Sequence, residues 1–242
     1  MIPKLTEMAL FLDVDGTLLG FQEQPDDVNS SASLTDLLRR LCNQLEGALA
    51  LVSGRPLDEL DRIFAPEVFT AAGGHGSQLR LLGGDISSND QHYPDASFER
   101  LDSAIKCYPG AFVERKSHGA ALHYRACPEN ADKVHAIAAD EQTRLGDEFT
   151  LLAGKMVYEI LPATINKGRA VERLMNNAPF AGRRPVFLGD DVTDEFGFAA
   201  VNAQGGLSIR VGPKNDQTRA MECLDSVTAV HEWLASLLET RP

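Results

Sequence analysis

The amino-acid sequence predicts an α/β protein with a Rossmann-like parallel-sheet core and an inserted α/β domain that contains an antiparallel sheet. Two observations predict this class. Apolar runs at residues 9–12, 48–52 and 185–189 each end in a polar turn, and the first two precede helical patterns. Between residues 79 and 164 the pattern changes to strand pairs joined by tight turns. Alternating strands and helices favour a parallel sheet, whereas strand pairs joined by tight turns favour an antiparallel one.

The first strand and helix follow directly from hydrophobic periodicity. The run 9–12 is short and apolar, residues 21–31 are polar and predict a loop, and Ser33 begins a helix. The apolar face of that helix is made of five leucines at helical spacing: Leu34, Leu37, Leu38, Leu41 and Leu45. We interpret these leucines as core residues only.

The second strand, 48–52, leads into a helix whose first turn holds Pro56, a position where proline is tolerated. Three glycines between residues 73 and 76 mark a bend or hinge, and we interpret His75 within it as structural. Near the end of the chain, residues 207–211 predict another strand and residues 228–239 a closing amphipathic helix.

The inserted segment repeats a helix-strand-strand unit. Its predicted elements are helices at 95–108 and 128–145 and strands at 111–116, 120–125, 149–153 and 156–161. We therefore predict three segments: 1–78 as the first part of the core, 79–164 as an inserted cap domain, and 165–242 as the second part of the core.

The composition and net charge of the chain limit the classes of molecule that it is expected to bind. The chain has 242 residues, is 43% hydrophobic and carries a net charge of −12. An acidic surface argues against nucleic acid and anionic membranes, although a local cluster of cations or a metal still permits a small phosphorylated substrate. Four scattered cysteines, no signal peptide and no apolar run long enough to span a bilayer lead us to expect a cytoplasmic monomer with free thiols.

Two carboxylates, Asp13 and Asp15, follow the first strand and precede the turn Gly16-Thr17. Carboxylates at the end of a buried strand are costly unless a cation neutralises them. One carboxylate is a competent nucleophile toward phosphorus, the second can act as general acid and base, and a hard divalent cation binds the same oxygens. The alternative is that both residues merely end a strand and cap a turn.

Two further polar residues stand at comparable positions. Ser53 follows the second strand, so its hydroxyl and the neighbouring backbone N–H of Gly54 are candidates for holding a phosphate oxygen, or Ser53 is an ordinary helix N-cap. Lys167 opens a helix, which is the wrong end for its charge and suggests a bound anion, although most lysines are simply exposed.

Four carboxylates lie within six residues after the strand 185–189, namely Asp190, Asp191, Asp194 and Glu195. Helix capping accounts for one or two of them. Metal ligation explains why Asp190 and Asp191 come directly after an apolar run.

Charged residues in the inserted domain fall on one predicted sheet face. Glu114 and Lys116 are two residues apart, His123 and Arg125 also, and Lys155 and Glu159 are four apart. Such a face can hydrogen-bond the hydroxyls of a sugar. Alternatively, it is an ordinary solvent-exposed face.

Taken together, Asp13-x-Asp15, Ser53, Lys167 and Asp190-Asp191-x-x-Asp194 resemble the four motifs of haloacid dehalogenase phosphatases, with the cap inserted between the second and third. More narrowly, the chain resembles the trehalose-6-phosphate phosphatase family over nearly its whole length. The motifs that carry this resemblance are Leu12-Asp-Val-Asp-Gly-Thr-Leu18, Val52-Ser-Gly-Arg55, Gly73-Gly-His-Gly76, Glu114-Arg-Lys116, Leu122-His-Tyr-Arg125, Gly154-Lys-Met-Val-Tyr-Glu-Ile160, Asn166-Lys-Gly168 and Gly189-Asp-Asp-Val-Thr-Asp-Glu195. Gly74 departs from relatives that often carry a bulkier residue there, so the hinge is expected to be looser.

The resemblance implies a function and the roles of the site residues. It implies Mg²⁺-dependent hydrolysis of trehalose 6-phosphate to trehalose and phosphate through an aspartyl-phosphate, the last step of trehalose biosynthesis. Asp13 is the implied nucleophile and Asp15 the acid and base; Asp13, the main-chain carbonyl of Asp15, and Asp190 hold Mg²⁺ with Asp194 nearby. Ser53, Gly54 and Lys167 bind the phosphate. The residues implied to bind the sugar are Glu114, Lys116, Arg125, Lys155 and Glu159.

Four other functions compete with this one. Two share the core: another sugar phosphatase, such as a sucrose-phosphate phosphatase-like enzyme, and a phosphomannomutase-like enzyme, which also needs a hexose bisphosphate activator. A response-regulator receiver gathers similar groups but is about half this length. A nucleotide-sugar transferase also uses an Asp-x-Asp motif, but here that motif has three matching partners.

Overall fold

The computed structural model describes residues 4–20, 29–88, 92–116, 118–154, 156–213 and 217–239. The chain folds into two compact units. The larger unit is formed by Met1–Ser88 together with Asn166–Pro242, and the smaller unit is formed by Asn89–Ile165.

Both units are built from strands and helices. The strands are β1 (Met8–Leu12), β2 (Leu49–Val52), β3 (Thr70–Gly73), β4 (Gln78–Arg80), β5 (Ile86–Ser88), β6 (Phe112–Lys116), β7 (Gly119–His123), β8 (Phe149–Gly154), β9 (Val157–Pro162), β10 (Arg184–Gly189), β11 (Leu207–Val211) and β12 (Glu222–Leu224). The α-helices are α1 (Ala32–Gln44), α2 (Leu57–Phe64), α3 (Asp95–Ile105), α4 (Ala131–Leu145), α5 (Lys167–Met175), α6 (Glu195–Ala203) and α7 (Val227–Glu239).

The larger unit is built on an eight-stranded sheet in the order β12-β11-β10-β1-β2-β3-β4-β5. The pairings from β12 through β3 are parallel, and those of β4 and β5 are antiparallel. Strand β1 is central, with Leu12 opposite Leu188 of β10 and Leu51 of β2. The residues that follow these three strands therefore meet at one edge of the sheet.

Burial on both faces explains why β1 and β2 are continuous apolar runs in the sequence. All five residues of β1 and all four of β2 are buried, as expected for a parallel strand covered on both faces. Helix α1 begins one residue before the predicted Ser33. The side chain of Ser31 caps it by accepting a hydrogen bond from the Leu34 N–H at 3.2 Å.

The smaller unit has its own core. Its antiparallel sheet has the order β6-β7-β9-β8, and helices α3 and α4 pack on one face through residues such as Leu101 and Val134. From the sheet, Leu122 and Ile160 join this core. The repeated helix-strand-strand unit is the architecture that the sequence predicts.

The structure sets the first boundary later than the predicted residue 79. Strands β4 and β5 extend the larger sheet beyond β3 in antiparallel fashion, and the smaller unit begins at Asn89. The tight turn at Gly74–Gly76 folds β4 back onto β3 instead of starting a new domain. These strands have three residues each, too few for a hydrophobic period to reveal them.

None of the helices in the described ranges is both long and apolar enough to cross a membrane.

Leu188 tests the central packing of the larger unit. It is fully buried, between Leu12 of β1 and Ile209 of β11. We expect Leu188→Ala to lower the free energy of unfolding by about 2–5 kcal/mol, because the residual cavity adds to the lost transfer energy. The control is Leu82→Ala, which makes the same change at a side chain that is 54% exposed. Equal shifts of the two variants in a urea titration would contradict the packing described.

Candidate active site

The site begins where three adjacent parallel strands end. Asp13 follows β1, Ser53 follows β2 and Asp190 follows β10. The Asp13 N–H still donates to the Leu188 carbonyl at 3.0 Å, so its backbone continues the ladder. Strand order thus brings together residues that are far apart in the chain.

Lys167 links the first and last of the predicted motifs. Its Nζ donates to Asp13 Oδ1 and to Asp194 Oδ1, each at 2.6 Å, and all three side chains are at most 5% exposed. Lys167 is the first residue of α5, and the preceding Asn166 caps that helix by accepting from the Arg169 N–H at 2.9 Å. The lysine whose charge is wrong for a helix N-terminus therefore has two buried carboxylate partners.

Asp194 organises the loop after β10. Its Oδ2 accepts the N–H groups of Asp190 and Asp191, both at 3.0 Å, while Oδ1 is held by Lys167. Gly189 makes room for this side chain, because a Cβ at that position would lie 2.3 Å from Asp194 Cγ. Three hydrogen bonds thus hold the Asp194 side chain in place, whereas the family resemblance implied only that Asp194 lies near the metal.

Asp13, Asp190 and Asp194 form what we call the carboxylate cluster. Each offers a carboxylate oxygen, and these oxygens lie within 4.8 Å of one another. Asp190 Oδ1 is buried and has no hydrogen-bond partner among the described residues. When all three carboxylates are ionised they exceed the single Lys167 ammonium by two negative charges, and oxygen ligands suit a hard divalent cation. The residues present therefore fit a divalent cation such as Mg²⁺.

The titration behaviour of the cluster reflects the same crowding. Burial and the neighbouring Asp194 raise the pKa of Asp13 well above its usual value. Burial and Asp194 also raise the pKa of Asp190 to about 7. For Lys167, burial acts to lower the pKa, but Asp13 and Asp194 outweigh it and raise the pKa above its ordinary value. The carboxylates of the cluster thus repel one another, and a bound cation would reduce this repulsion.

Gly16 holds the turn that follows the two predicted aspartates. Its φ is +89°, and a Cβ there would lie 2.2 Å from Asp190 Oδ2. Only glycine satisfies both the left-handed backbone and the close approach of the carboxylate.

Ser53 is buried, and its Oγ accepts the Arg55 N–H at 3.1 Å, which leaves its own hydroxyl hydrogen to donate. At Gly54 a Cβ would lie 2.7 Å from the His75 ring, which is itself buried. His75 therefore packs against the Ser53-Gly54 turn, which agrees with its interpretation as structural.

Asp15 lies outside the carboxylate cluster. Its carboxylate accepts two hydrogen bonds from Arg55, from Nε at 2.7 Å and from Nη2 at 2.9 Å. In the sequence, Arg55 stands out only as part of the motif Val52-Ser-Gly-Arg55, and nothing there reveals this pairing, which spans forty residues. The metal contact predicted for the Asp15 main-chain carbonyl stays a prediction.

In the smaller unit, strand register puts Glu114 opposite Ala121 and Ala121 opposite Glu159, so both carboxylates lie on one sheet face. Lys116 forms an ion pair with Glu159. Glu114 Oε2 is 2.7 Å from His123 Nε2, and that hydrogen bond is the main cause that lowers the Glu114 pKa.

The face that carries these charges is the one opposite the helix-packed core residues Leu122 and Ile160. Arg125 follows β7, and Lys155 lies outside the described residues. Sugar binding by these side chains remains a prediction.

Comparison with known proteins identifies the family. Residues 11–225 match the family model described as trehalose-phosphatase. The chain belongs to this family. A probable trehalose-phosphate phosphatase of Sinorhizobium fredii is 41% identical over 96% of this chain and 88% of the relative. The trehalose-6-phosphate phosphatase of Escherichia coli is 40% identical over 96% of this chain and 87% of the relative.

The fold comparison agrees. The C-terminal domain of C. albicans trehalose-6-phosphate phosphatase superposes with a TM-score of 0.84, covering 97% of this chain and 92% of that one. At 22% identity this likeness shows the fold alone, which it shares with haloacid dehalogenase-like hydrolases. The fold class and the family resemblance predicted from the sequence are confirmed, and membership of the trehalose-phosphatase family makes the chain a phosphoric monoester hydrolase.

Gly16→Ala tests the close approach at the carboxylate cluster. The new methyl group would displace the Asp190 carboxylate, so we expect phosphatase turnover to fall by about 10²-fold. The matched control is Gly20→Ala in the same turn region, where no heavy atom lies within 4 Å of the position that a Cβ would take. Phosphatase turnover would be measured for both variants. Equal turnover of the two variants would contradict a functional role for the close approach of Gly16 to the Asp190 carboxylate.

Proposed function

We propose that this chain hydrolyses trehalose 6-phosphate to trehalose and inorganic phosphate, with Mg²⁺, through a phosphorylated Asp13. The observation that carries the proposal is the buried Lys167 ammonium between Asp13 and Asp194, beside the Asp190 Oδ1 that has no hydrogen-bond partner among the described residues. That arrangement supports phosphoryl transfer to a carboxylate, and the trehalose-phosphatase family match favours trehalose 6-phosphate over the substrates of the competing functions.

Asp13 is the proposed nucleophile. Lys167 holds its Oδ1, so the carboxylate cannot rotate freely and its second oxygen is presented for in-line attack on phosphorus. A bond forms between that oxygen and phosphorus while the bond from phosphorus to the sugar oxygen breaks. Lys167 and the Ser53 hydroxyl offset the charge that develops on the phosphoryl oxygens.

Asp15 supplies and removes the protons. It protonates the departing sugar oxygen, which leaves as the free hydroxyl of trehalose. The resulting carboxylate then takes a proton from water, and the water oxygen attacks the phosphorus of the aspartyl-phosphate. Phosphate leaves, and both Asp13 and Asp15 return to their starting forms.

The predicted ligands for Mg²⁺ are the Asp13 carboxylate, the Asp15 main-chain carbonyl and the Asp190 carboxylate. When bound, the ion supplies positive charge that offsets the surplus of the cluster and polarises the phosphoryl group. Asp194 has little capacity left as a ligand, since Oδ2 already accepts two N–H groups and Oδ1 accepts Lys167. We assign it the task of holding the Asp190 loop and Lys167 in place.

The smaller unit is the proposed source of sugar specificity. The ion pair of Lys116 with Glu159 and the contact of Glu114 with His123 form a face of alternating donors and acceptors. Such groups bind pairs of vicinal sugar hydroxyls, and a site built for hydroxyls rejects a ligand that leaves its polar groups unpaired. Arg125 and Lys155 complete the predicted set.

We also propose a cytoplasmic location, which the free state of all four cysteines supports. The monomeric state stays a prediction.

A substrate panel tests the proposed function. We expect Mg²⁺-dependent phosphate release from trehalose 6-phosphate, with kcat/KM at least about 10²-fold above that for glucose 6-phosphate or sucrose 6-phosphate, because the polar face leaves groups unpaired with the wrong sugar. Removal of the metal with a chelator is expected to abolish release, and Mg²⁺ to restore it. Preference for sucrose 6-phosphate would support the related phosphatase instead, and a strict need for a hexose bisphosphate would support a mutase.

Asp13→Asn tests the nucleophile. An amide cannot form the aspartyl-phosphate, so we expect turnover to fall by at least about 10³-fold. The fold is expected to survive, because the substitution removes one charge from a site where like charges already repel. Asp36→Asn on the exposed face of α1 is the matched control and is expected to retain full turnover. Substantial turnover by a folded Asp13→Asn variant would remove Asp13 from the mechanism.

A further inference from the structure

Arg55 forms two hydrogen bonds with Asp15, the proposed general acid and base of the reaction. Its Nε donates to Asp15 Oδ2 at 2.7 Å and its Nη2 donates to Asp15 Oδ1 at 2.9 Å. Two parallel bonds from one guanidinium to one carboxylate fix both the position and the plane of the carboxylate. The Arg55 side chain is 11% exposed and that of Asp15 is 30% exposed, so solvent screens the pair only in part.

Arg55 is itself held from a third direction. Its Nη1 donates to Glu59 Oε2 at 2.9 Å, one helical turn further along the chain. Glu59 lies on α2, which is anchored in the core by buried Leu60 and Phe64. The Arg55 N–H also donates to Ser53 Oγ at 3.1 Å. A rigid helix therefore determines where the guanidinium stands, and the guanidinium determines where Asp15 stands.

The two aspartates of the first motif thus have separate cations. Lys167 is bonded to Asp13, whereas Arg55 is bonded to Asp15. A carboxylate that follows a strand in a turn would otherwise sample several rotamers. Separate partners keep the nucleophile and the proton carrier in distinct places although they are two residues apart.

We propose that Arg55 is a positioning residue for Asp15, and that Glu59 holds Arg55 in the orientation this requires. The proposal rests on the proposed function, in which Asp15 transfers the protons. Arg55 acts through Asp15 in both half-reactions: it aims the carboxyl group at the leaving oxygen and afterwards at the attacking water. The competing explanation is that Arg55 only joins the turn after β1 to α2 as a structural strut.

The variants are Arg55→Gln, Arg55→Lys and Glu59→Gln. The matched control is Arg62→Gln, which changes an arginine on the surface of α2, the helix that carries Glu59. We expect Arg55→Gln to lower kcat on trehalose 6-phosphate by about 10- to 100-fold, part of the full contribution of a general acid and base, with KM within about threefold. Lysine provides the positive charge but not the two parallel hydrogen bonds of a guanidinium, so the kcat of Arg55→Lys is expected to be intermediate. Glu59→Gln is expected to lose about threefold and Arg62→Gln nothing.

A leaving group that needs no proton separates positioning from a structural role. With p-nitrophenyl phosphate, formation of the aspartyl-phosphate does not require an acid, but its hydrolysis still requires a base. We expect Arg55→Gln to release one nitrophenolate per enzyme in a burst within about threefold of the unmodified rate, followed by slow turnover. Asp15→Asn provides the reference pattern for this behaviour.

Three outcomes overturn the proposal. These are an unchanged kcat in Arg55→Gln, an equal loss in the burst and in sugar-phosphate turnover, and a failure of Arg55→Lys to regain any activity. Thermal unfolding of each variant shows whether it folds. If Arg55→Gln does not fold, the burst and the sugar-phosphate turnover are compared in Arg55→Lys instead. If the unmodified chain cleaves the aryl phosphate but not trehalose 6-phosphate, the substrate assignment fails while the test of Arg55 still stands.

Discussion

The buried ammonium of Lys167 between the carboxylates of Asp13 and Asp194 is the interaction on which the larger unit's site depends. It joins positions 154 and 27 residues apart, so it forms only when β1, α5 and the loop after β10 are in their places. Removal of the Lys167 ammonium would leave the Asp13 and Asp194 carboxylates buried without their shared cation. The site is thus coupled to correct assembly of the sheet, and the sheet order β10-β1-β2 is in turn what makes the meeting possible.

Glycines permit the close approaches that the charges require. Gly16 faces the Asp190 carboxylate, Gly189 faces Asp194 and Gly54 faces the His75 ring. In each case a Cβ would fall within 2.7 Å of a side chain that the site uses or packs against, a distance that real Cβ atoms do not tolerate. The backbone at the ends of these three neighbouring strands and in the turns that follow must therefore leave space for the side chains that lie opposite.

Sequence reasoning predicts the elements whose signal is local. The runs that form β1, β2 and β10 are apolar because both faces are covered, and Lys167 stands out because its charge is wrong for a helix N-terminus. Sequence reasoning does not predict the pairing of Arg55 with Asp15 or that of Lys167 with Asp194. Nothing in the residue spacing shows which distant partner a charged side chain will contact. The short strands β4 and β5 fall on the wrong side of the predicted boundary, since three residues carry no readable period.

The charge balance of the site opposes the binding of a phosphate ester unless a cation is also bound. The chain carries a net charge of −12, and the carboxylate cluster, when all three groups are ionised, exceeds the Lys167 ammonium by two negative charges. Side chains alone would therefore repel a phosphate group, because one ammonium and one hydroxyl do not offset that surplus at short range. The divalent cation proposed above would therefore help to admit the substrate as well as assist its chemistry. The proposed role of the metal and the raised pKa values of Asp13 and Asp190 would then have one physical origin, the crowding of these carboxylates.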